Sequence, residues 1–280
     1  MHAHVTCKNC GNQFTGNFCN ECGEKVYSDH DKRFSHFLEE AFHFITHFDN
    51  KIFRSWWLIM TRPGFVSKQI CDGIRRPYYK PVNLFIIGVI LYLLFPIFQG
   101  LNMPLKNHLN ELYSPVAERM VENKMKSKKL TMDQVAARFD AKSPKFAKIL
   151  LLIIIPLSAL AIQLLFLKKG RYFFDHITLA SEINTFYLYF TFLLLPLLFI
   201  ITYFIVYAFG VDLRNHLNDN ISVPLHVTAL AIYSTLAFIR FYNEKKVPAI
   251  LKSVLFLAAH WLIVYSIYRF ILFCIVLVFT

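Results

Sequence analysis

Four cysteines in the first 22 residues form two Cys-x2-Cys hooks, Cys7-Lys8-Asn9-Cys10 and Cys19-Asn20-Glu21-Cys22, with eight residues between them. Each hook turns two sulfurs toward one point, and so short an arm lets the hooks close on a single ion. Four thiolates in this pattern suit tetrahedral zinc and leave no open position, so the chemistry expected is structural, not catalytic. Gly11 and Gly23 follow the second cysteine of each hook, where the chain often needs a positive φ. Phe14 and Phe18 are the only large apolar residues between the hooks, so the metal must supply most of the folding energy. A pair of disulfides is the alternative. It would suit a secreted domain, but the first 30 residues hold no apolar run that could act as an export signal. Cys71 and Cys274 stand alone and read as ordinary buried or membrane-facing thiols.

A second group of metal-capable side chains follows. From Phe34 to Ile52 apolar residues recur every three or four positions, predicting an amphipathic interfacial helix over 34–60, with Trp56 and Trp57 near its end. His36, His43 and His47 lie on the opposite stripe with Glu40, and His43 and His47 are spaced i,i+4. The plainer reading is a wet polar face. The sharper one is a second metal or proton-relay site at His36, His43 and His47.

The elements that must position these groups are set by composition. The 280 residues are 56% hydrophobic and only 17% charged, where about 25% charged is usual for a soluble domain. Apolar runs crowd 82–101 and most of 146–280. This excludes an ordinary soluble enzyme, a disordered chain and a fibrous protein. The expected fold class is an all-α polytopic membrane protein with a small N-terminal zinc ribbon at 1–25 and a membrane domain over 82–280. Five spans are expected, at 82–101, 146–167, 185–209, 223–242 and 248–279, each long enough for a bilayer core of about 30 Å. Pro156 and Pro196 fall inside two of them.

Lys and Arg number 30 against 18 Asp and Glu, but the excess is spread beside the apolar runs, as for lipid-headgroup anchors, and weighs against a nucleic-acid partner. The segment 61–81 carries five Lys or Arg residues against the single acid Asp72, and reads as a juxtamembrane stretch meeting anionic lipid at Lys68, Arg75, Arg76 and Lys80. These charges, with Lys168, Lys169, Arg171, Arg240, Lys245 and Lys246 after later spans, place the N-terminus in the cytoplasm and the C-terminus outside. The basic loop 102–145 conflicts with that pattern. It reads as a helical extramembrane cap, with starts signalled by Ser114-Pro115 and by Thr131 with Gln134.

Three ionisable groups fall within apolar runs: His226, His260 and Arg269. The last apolar stretch is longer than a bilayer needs, so Arg269 either marks the outer interface or is buried with a partner. No acid lies deep in an expected span, with Glu182 near the start of the third, and no nucleophile, base and oxyanion site is assembled. An enzyme is therefore the less favoured class.

The hooks from Cys7 to Cys22, Arg62-Pro63-Gly64, Gly73-x-Arg75-x-x-Tyr78-x-x-Pro81, Pro156 and the Arg171-Tyr172 to His176 approach together resemble an uncharacterised family of bacterial membrane proteins, found mainly in Bacteroidota. The resemblance implies an N-terminal zinc ribbon joined to several spans in the inner membrane; it carries no established activity and so adds architecture, not mechanism. A further histidine often seen in the third span of that family is replaced here by the neighbourhood of Glu182 and Asn184. The classes that remain are a scaffold or regulator docking a cytoplasmic partner through its ribbon, a transporter or channel component, and an intramembrane metal-dependent enzyme.

Overall fold

The computed structural model describes residues 5–7, 10–16, 19–22, 50–94, 103–208 and 219–280. The chain divides into two compact units, Met1–Asn50 and Lys51–Thr280.

The first unit contains a two-stranded antiparallel sheet, β1 (Val5–Thr6) and β2 (Gln13–Phe14), in the register Val5↔Phe14 and Thr6↔Gln13. The turn between them closes through Cys7 N–H to Asn12 O at 2.8 Å and Gly11 N–H to Cys7 O at 3.0 Å. Gly11 sits at φ +76°, the left-handed conformation expected from its place after the hook. Phe14 is buried against Cys7 and Cys19.

The second unit is entirely helical among the described residues. It begins with α1 (Asn50–Thr61), the short α2 (Phe65–Cys71) and α3 (Pro81–Leu94). Next come α4 (Leu105–His108), α5 (Ser114–Lys128) and α6 (Met132–Leu150). A 3-10 turn at Leu151–Ile153 leads into α7 (Ile154–Leu165). The remaining chain forms α8 (Phe173–Tyr189), a π-helical turn at Phe190–Leu194, α9 (Leu195–Ala208), α10 (Asp219–Tyr242), α11 (Lys246–Leu262), a second π-helical turn at Ile263–Tyr268 and α12 (Arg269–Phe279).

The fold class is an all-α polytopic membrane protein. Among the described residues three continuous helices are long and apolar enough to cross a membrane: Phe173–Ile205, Ser222–Tyr242 and Lys246–Phe279. A fourth exists if Met132–Ala147 and Leu151–Leu165, bent by 53° at their junction, act as one broken span. Pro156 accounts for the break, because it has no N–H to offer the Leu152 carbonyl in the 3-10 turn. The window expected at 82–101 is met by a shorter apolar helix, Pro81–Tyr92, and 95–102 lies outside the described residues. The third span starts at Phe173 rather than at 185, and so carries Asp175, His176, Glu182 and Asn184 into the bundle. Sequence reasoning stopped short of them because they are polar; here they are buried against other helices.

Close approach is purchased with small residues. A Cβ on Gly88 of α3 would lie 2.8 Å from Leu188 Cδ2 and 2.9 Å from Tyr189 Cε2 of α8. The same pair is tied by Thr185 Oγ1 donating to Pro81 O at 3.0 Å and Tyr189 OH to Leu84 O at 3.2 Å. Helices α10 and α11 share a Ser234–Ser253 hydroxyl contact of 2.5 Å, with Ser253 Oγ also donating to Ala231 O at 3.0 Å. Polar side chains of this kind join helices in apolar surroundings, where shape and hydrogen bonds must replace the hydrophobic effect.

The segment 103–150, expected to form an extramembrane cap, is helical. Thr131 and Gln134 form both hydrogen bonds of a capping box at the start of α6. Val121, Val135 and Phe139 are buried, whereas Val116 is exposed and Ala117 takes its inward place. The cap packs on α12, whose Leu272, Phe273, Val276 and Leu277 are buried. The last continuous helix has 34 residues and spans about 51 Å, more than a bilayer core of about 30 Å requires, and its C-terminal part is buried against this segment.

Candidate functional site

The cysteine head brings its four ligands together. Cys7, Cys10, Cys19 and Cys22 have sulfurs that all lie within 4.8 Å of one another, with Cys7 Sγ to Cys22 Sγ at 3.5 Å and Cys10 Sγ to Cys19 Sγ at 3.6 Å. Four sulfurs about 2.3 Å from a tetrahedral ion stand about 3.8 Å apart, so the donor set fits a thiolate-bound metal. All four are free cysteines. Both of these contacts run between the hooks, which is how two hooks share one centre. Crowding also splits the thiols. The Cys22 backbone amide, then that of Glu21, draws Cys19 down to about 6 against the desolvation that opposes it. Cys10 is drawn down by the Asn12 backbone, but desolvation and contacts with the other three sulfurs push it up to about 12. One thiolate in the cluster resists a second, and a bound cation removes that conflict.

Of the remaining metal candidates, His36, His43 and His47 lie outside the described residues, as does the 34–49 part of the amphipathic segment. Its described end, α1, buries Ser55 and Ile59, leaves Trp57 exposed and sets Trp56 edge-on to Tyr189 at 6.0 Å. The expected lipid contacts Arg75, Arg76 and Lys80 are exposed, and Lys68 Nζ donates to Asn243 Oδ1 at 3.1 Å.

The Arg62-Pro63-Gly64 turn leads to a site that sequence reasoning missed. Gly64, at φ +73°, precedes α2 and offers no side-chain acceptor to the helix N-terminus. Glu182 of α8 supplies one from across the bundle: Oε1 accepts from Gly64 N–H and Oε2 from Ser67 N–H, both at 2.6 Å, and Oε1 also receives the Tyr233 hydroxyl at 3.2 Å. Ser67 Oγ donates to Thr178 O at 3.0 Å, and the Arg240 guanidinium to Pro63 O. Three donors converge on one fully buried carboxyl group, whose oxygens serve all of them as acceptors. Glu182 was placed near the start of a span; it lies inside the bundle, and a glycine N-cap followed by a buried short helix was the available signal that an acceptor must come from elsewhere.

Residues 49–93 match a family model described as a protein of unknown function (DUF3667). Comparison with curated proteins and with solved structures found no match. The matched stretch spans α1 to most of α3 and holds both Arg62-Pro63-Gly64 and the Gly73 to Pro81 segment. Its partners lie beyond the match, in Glu182, Tyr233 and Arg240.

Ion pairs join the connections at this end of the bundle. Glu244 bridges Lys169 at 3.0 Å and Lys252 at 3.1 Å, and these lysines hold its carboxyl below the usual range. Arg171 meets Asp72 at 3.6 Å and Asp175 at 3.8 Å. His176 Nδ1 is 2.6 Å from Tyr242 OH, so this imidazole is already engaged. Cys71 is half-buried, and burial pushes its thiol up to about 12, which suits an inert residue. At the opposite end Arg269 has a partner, Glu111, at 2.6 Å, and lies over the Tyr265 ring. Arg269 therefore has the partner foreseen for it, and the pair ties α12 to the segment before α5.

Proposed function

We propose that this integral membrane protein is a scaffold or regulator of the bacterial inner membrane whose N-terminal head holds one structural zinc ion and docks a cytoplasmic protein partner. The observation that carries the reading is the head itself. Four cysteines whose sulfurs crowd within 4.8 Å occupy a small unit distinct from the helical unit. Four thiolates saturate a tetrahedral ion, so the head offers a rigid surface rather than a reactive metal. Zinc is preferred because soft sulfur donors in a tetrahedral set suit it.

A cytoplasmic N-terminus is supported by charge. Segments containing Lys68, Arg171 and Lys246 gather at one end of the bundle through the Lys68–Asn243, Arg171–Asp72 and Lys169–Glu244 contacts, and basic clusters of this kind favour the cytoplasmic face and its anionic lipids. The boundaries 1–25, 34–60, 61–81, 82–280 and 102–145 are retained as the working organisation.

The test is crosslinking with mass spectrometry on native membranes, comparing wild type with Cys19→Ser. A partner recovered with wild type and lost with the variant is the expected result, with one zinc per chain by elemental analysis. An identical crosslink profile in the two would overturn the docking role, and iron in place of zinc would overturn the metal assignment.

A further inference from the structure

The helical unit contains a cavity of about 1080 Å³, bounded by α8 and α9, the first half of α10 and the second half of α11. Its wall is mainly apolar and aromatic, with Phe85, Tyr203, Phe204 and Trp261 among its residues. Besides tyrosine hydroxyls, the polar contributors are Asn184, Thr191, Ser222, His226, His260 and Arg269, and among the described residues no acid lines it. Arg269 is spent on Glu111.

Two independent features mark this cavity. The first is a histidine pair. His226 and His260 stand edge-on to the Tyr187 ring, with centroids 6.4 and 5.5 Å away. Each is left with a buried Nε2 that has no hydrogen-bond partner among the described residues. His260 is only 4% exposed and its Nδ1 lies 3.4 Å from Ser158 Oγ. If that hydroxyl donates to Nδ1, the imidazole proton sits on Nε2 and makes it a donor. A buried polar atom without a partner is costly, and an occupant able to satisfy it is favoured.

The second is the backbone. Both π-helical turns among the described residues border the cavity, through Thr191 and Phe192 in one and Val264, Tyr265 and Tyr268 in the other. Pro196 explains the first, since it leaves the Phe192 carbonyl without its usual donor. No proline lies in or just after the second turn. Widened turns of this type concentrate at functional sites.

We propose that the cavity binds one lipid-soluble, electrically neutral molecule, its apolar body against the aromatic wall and a hydroxyl or carbonyl oxygen at the His226 and His260 side. Among the described lining residues a cation would find no acid, and an anion would find only an arginine that already has a partner. Two membrane sources share this chemistry: a quinone and a diacylglycerol.

The full chain in detergent, carrying Trp56→Phe and Trp57→Phe, keeps Trp261 in the cavity wall as its sole tryptophan. Decylubiquinone is titrated as a quencher, and dioctanoylglycerol is added as competitor. The expected result is saturable quenching, weakened roughly tenfold by His226→Leu or His260→Leu, and less by His260→Gln, which keeps a donor. Tighter binding of one probe identifies the source. Ala258→Phe, which fills the wall from an exposed position, abolishes saturation while retaining both histidines. Quenching that rises without saturation in wild type overturns the proposal, as does saturation equal in wild type and every folded variant. A Trp261 unresponsive to both probes and shielded in a dimer assigns the cavity to a second copy and also overturns it.

Discussion

Glu182 caps a helix that begins more than a hundred residues before it: its carboxylate receives the backbone N–H of Gly64 at 2.6 Å, and that of Ser67 at the same distance. A short helix normally finds such an acceptor in the residue before it. Here the preceding residue is glycine, and the acceptor has been moved to the third span. The segment 61–81 is thereby fastened to the bundle and not merely laid beside it.

Removing that acceptor strands three buried donors. Glu182→Ala is expected to cost about 2–4 kcal/mol. Glu182→Gln, which keeps one oxygen but turns an NH2 toward a backbone N–H, should fall between alanine and wild type. Thermal unfolding in detergent, read by the temperature of lost monodispersity, checks the order. An alanine variant as stable as wild type would remove the carboxylate from its capping role.

Gly64 and Gly73 provide a paired test of the same turn. Both have positive φ, +73° and +98°. A Cβ on Gly64 would also lie 2.8 Å from Ala237 O and 2.9 Å from Ala237 Cα, whereas one on Gly73 meets nothing within 4 Å. Gly73→Ala should therefore cost only the backbone penalty, about 1 kcal/mol. Gly64→Ala must also push α10 away and should cost at least twice as much. Equal melting temperatures for the two variants would show that the close approach to α10 does not matter.

Sequence reasoning reached what depends on local pattern. Thr131 and Gln134 signalled the start of α6 because a capping box is written within four residues, and the two hooks placed four sulfurs for the same reason. It failed where a polar residue's partner is far away. Nothing next to Glu182 names Gly64, and nothing next to Arg269 names Glu111; each pair is made only when helices pack. The same failure left Asp175, His176 and Asn184 outside the expected third span, because their burial against other helices is not written beside them in the sequence.

The head should depend on its ion and the helical unit should not. A strong chelator is expected to release the metal and make the four cysteines reactive toward a maleimide, with Cys71 and Cys274 unchanged in rate. Cys19→Ser should lower bound metal at least tenfold, because a missing thiolate opens the tetrahedral site. Mass-spectrometric counting of labelled cysteines checks both. Protection of the head cysteines that survives chelation would mean that the fold of the head does not need metal.

His108 gives the cap a dependence on pH. It is buried between Phe139 and Phe273, with Nδ1 2.6 Å from Tyr113 OH. Burial first, and then the Arg269 guanidinium, pull its pKa down from 6.5 to about 4. The native imidazole is thus neutral across a range in which an unfolded one takes up a proton. Below about 6.5 the unfolded chain binds more protons than the folded one, so stability falls with falling pH and the loss is complete near 4. The full effect is on the order of 3 kcal/mol. Unfolding of wild type should be easier at pH 5 than at pH 7, and His108→Gln, which keeps a hydrogen-bonding side chain but cannot titrate there, should lose much of that difference. A slope between pH 7 and pH 5 that is the same in both proteins would place the acid sensitivity elsewhere.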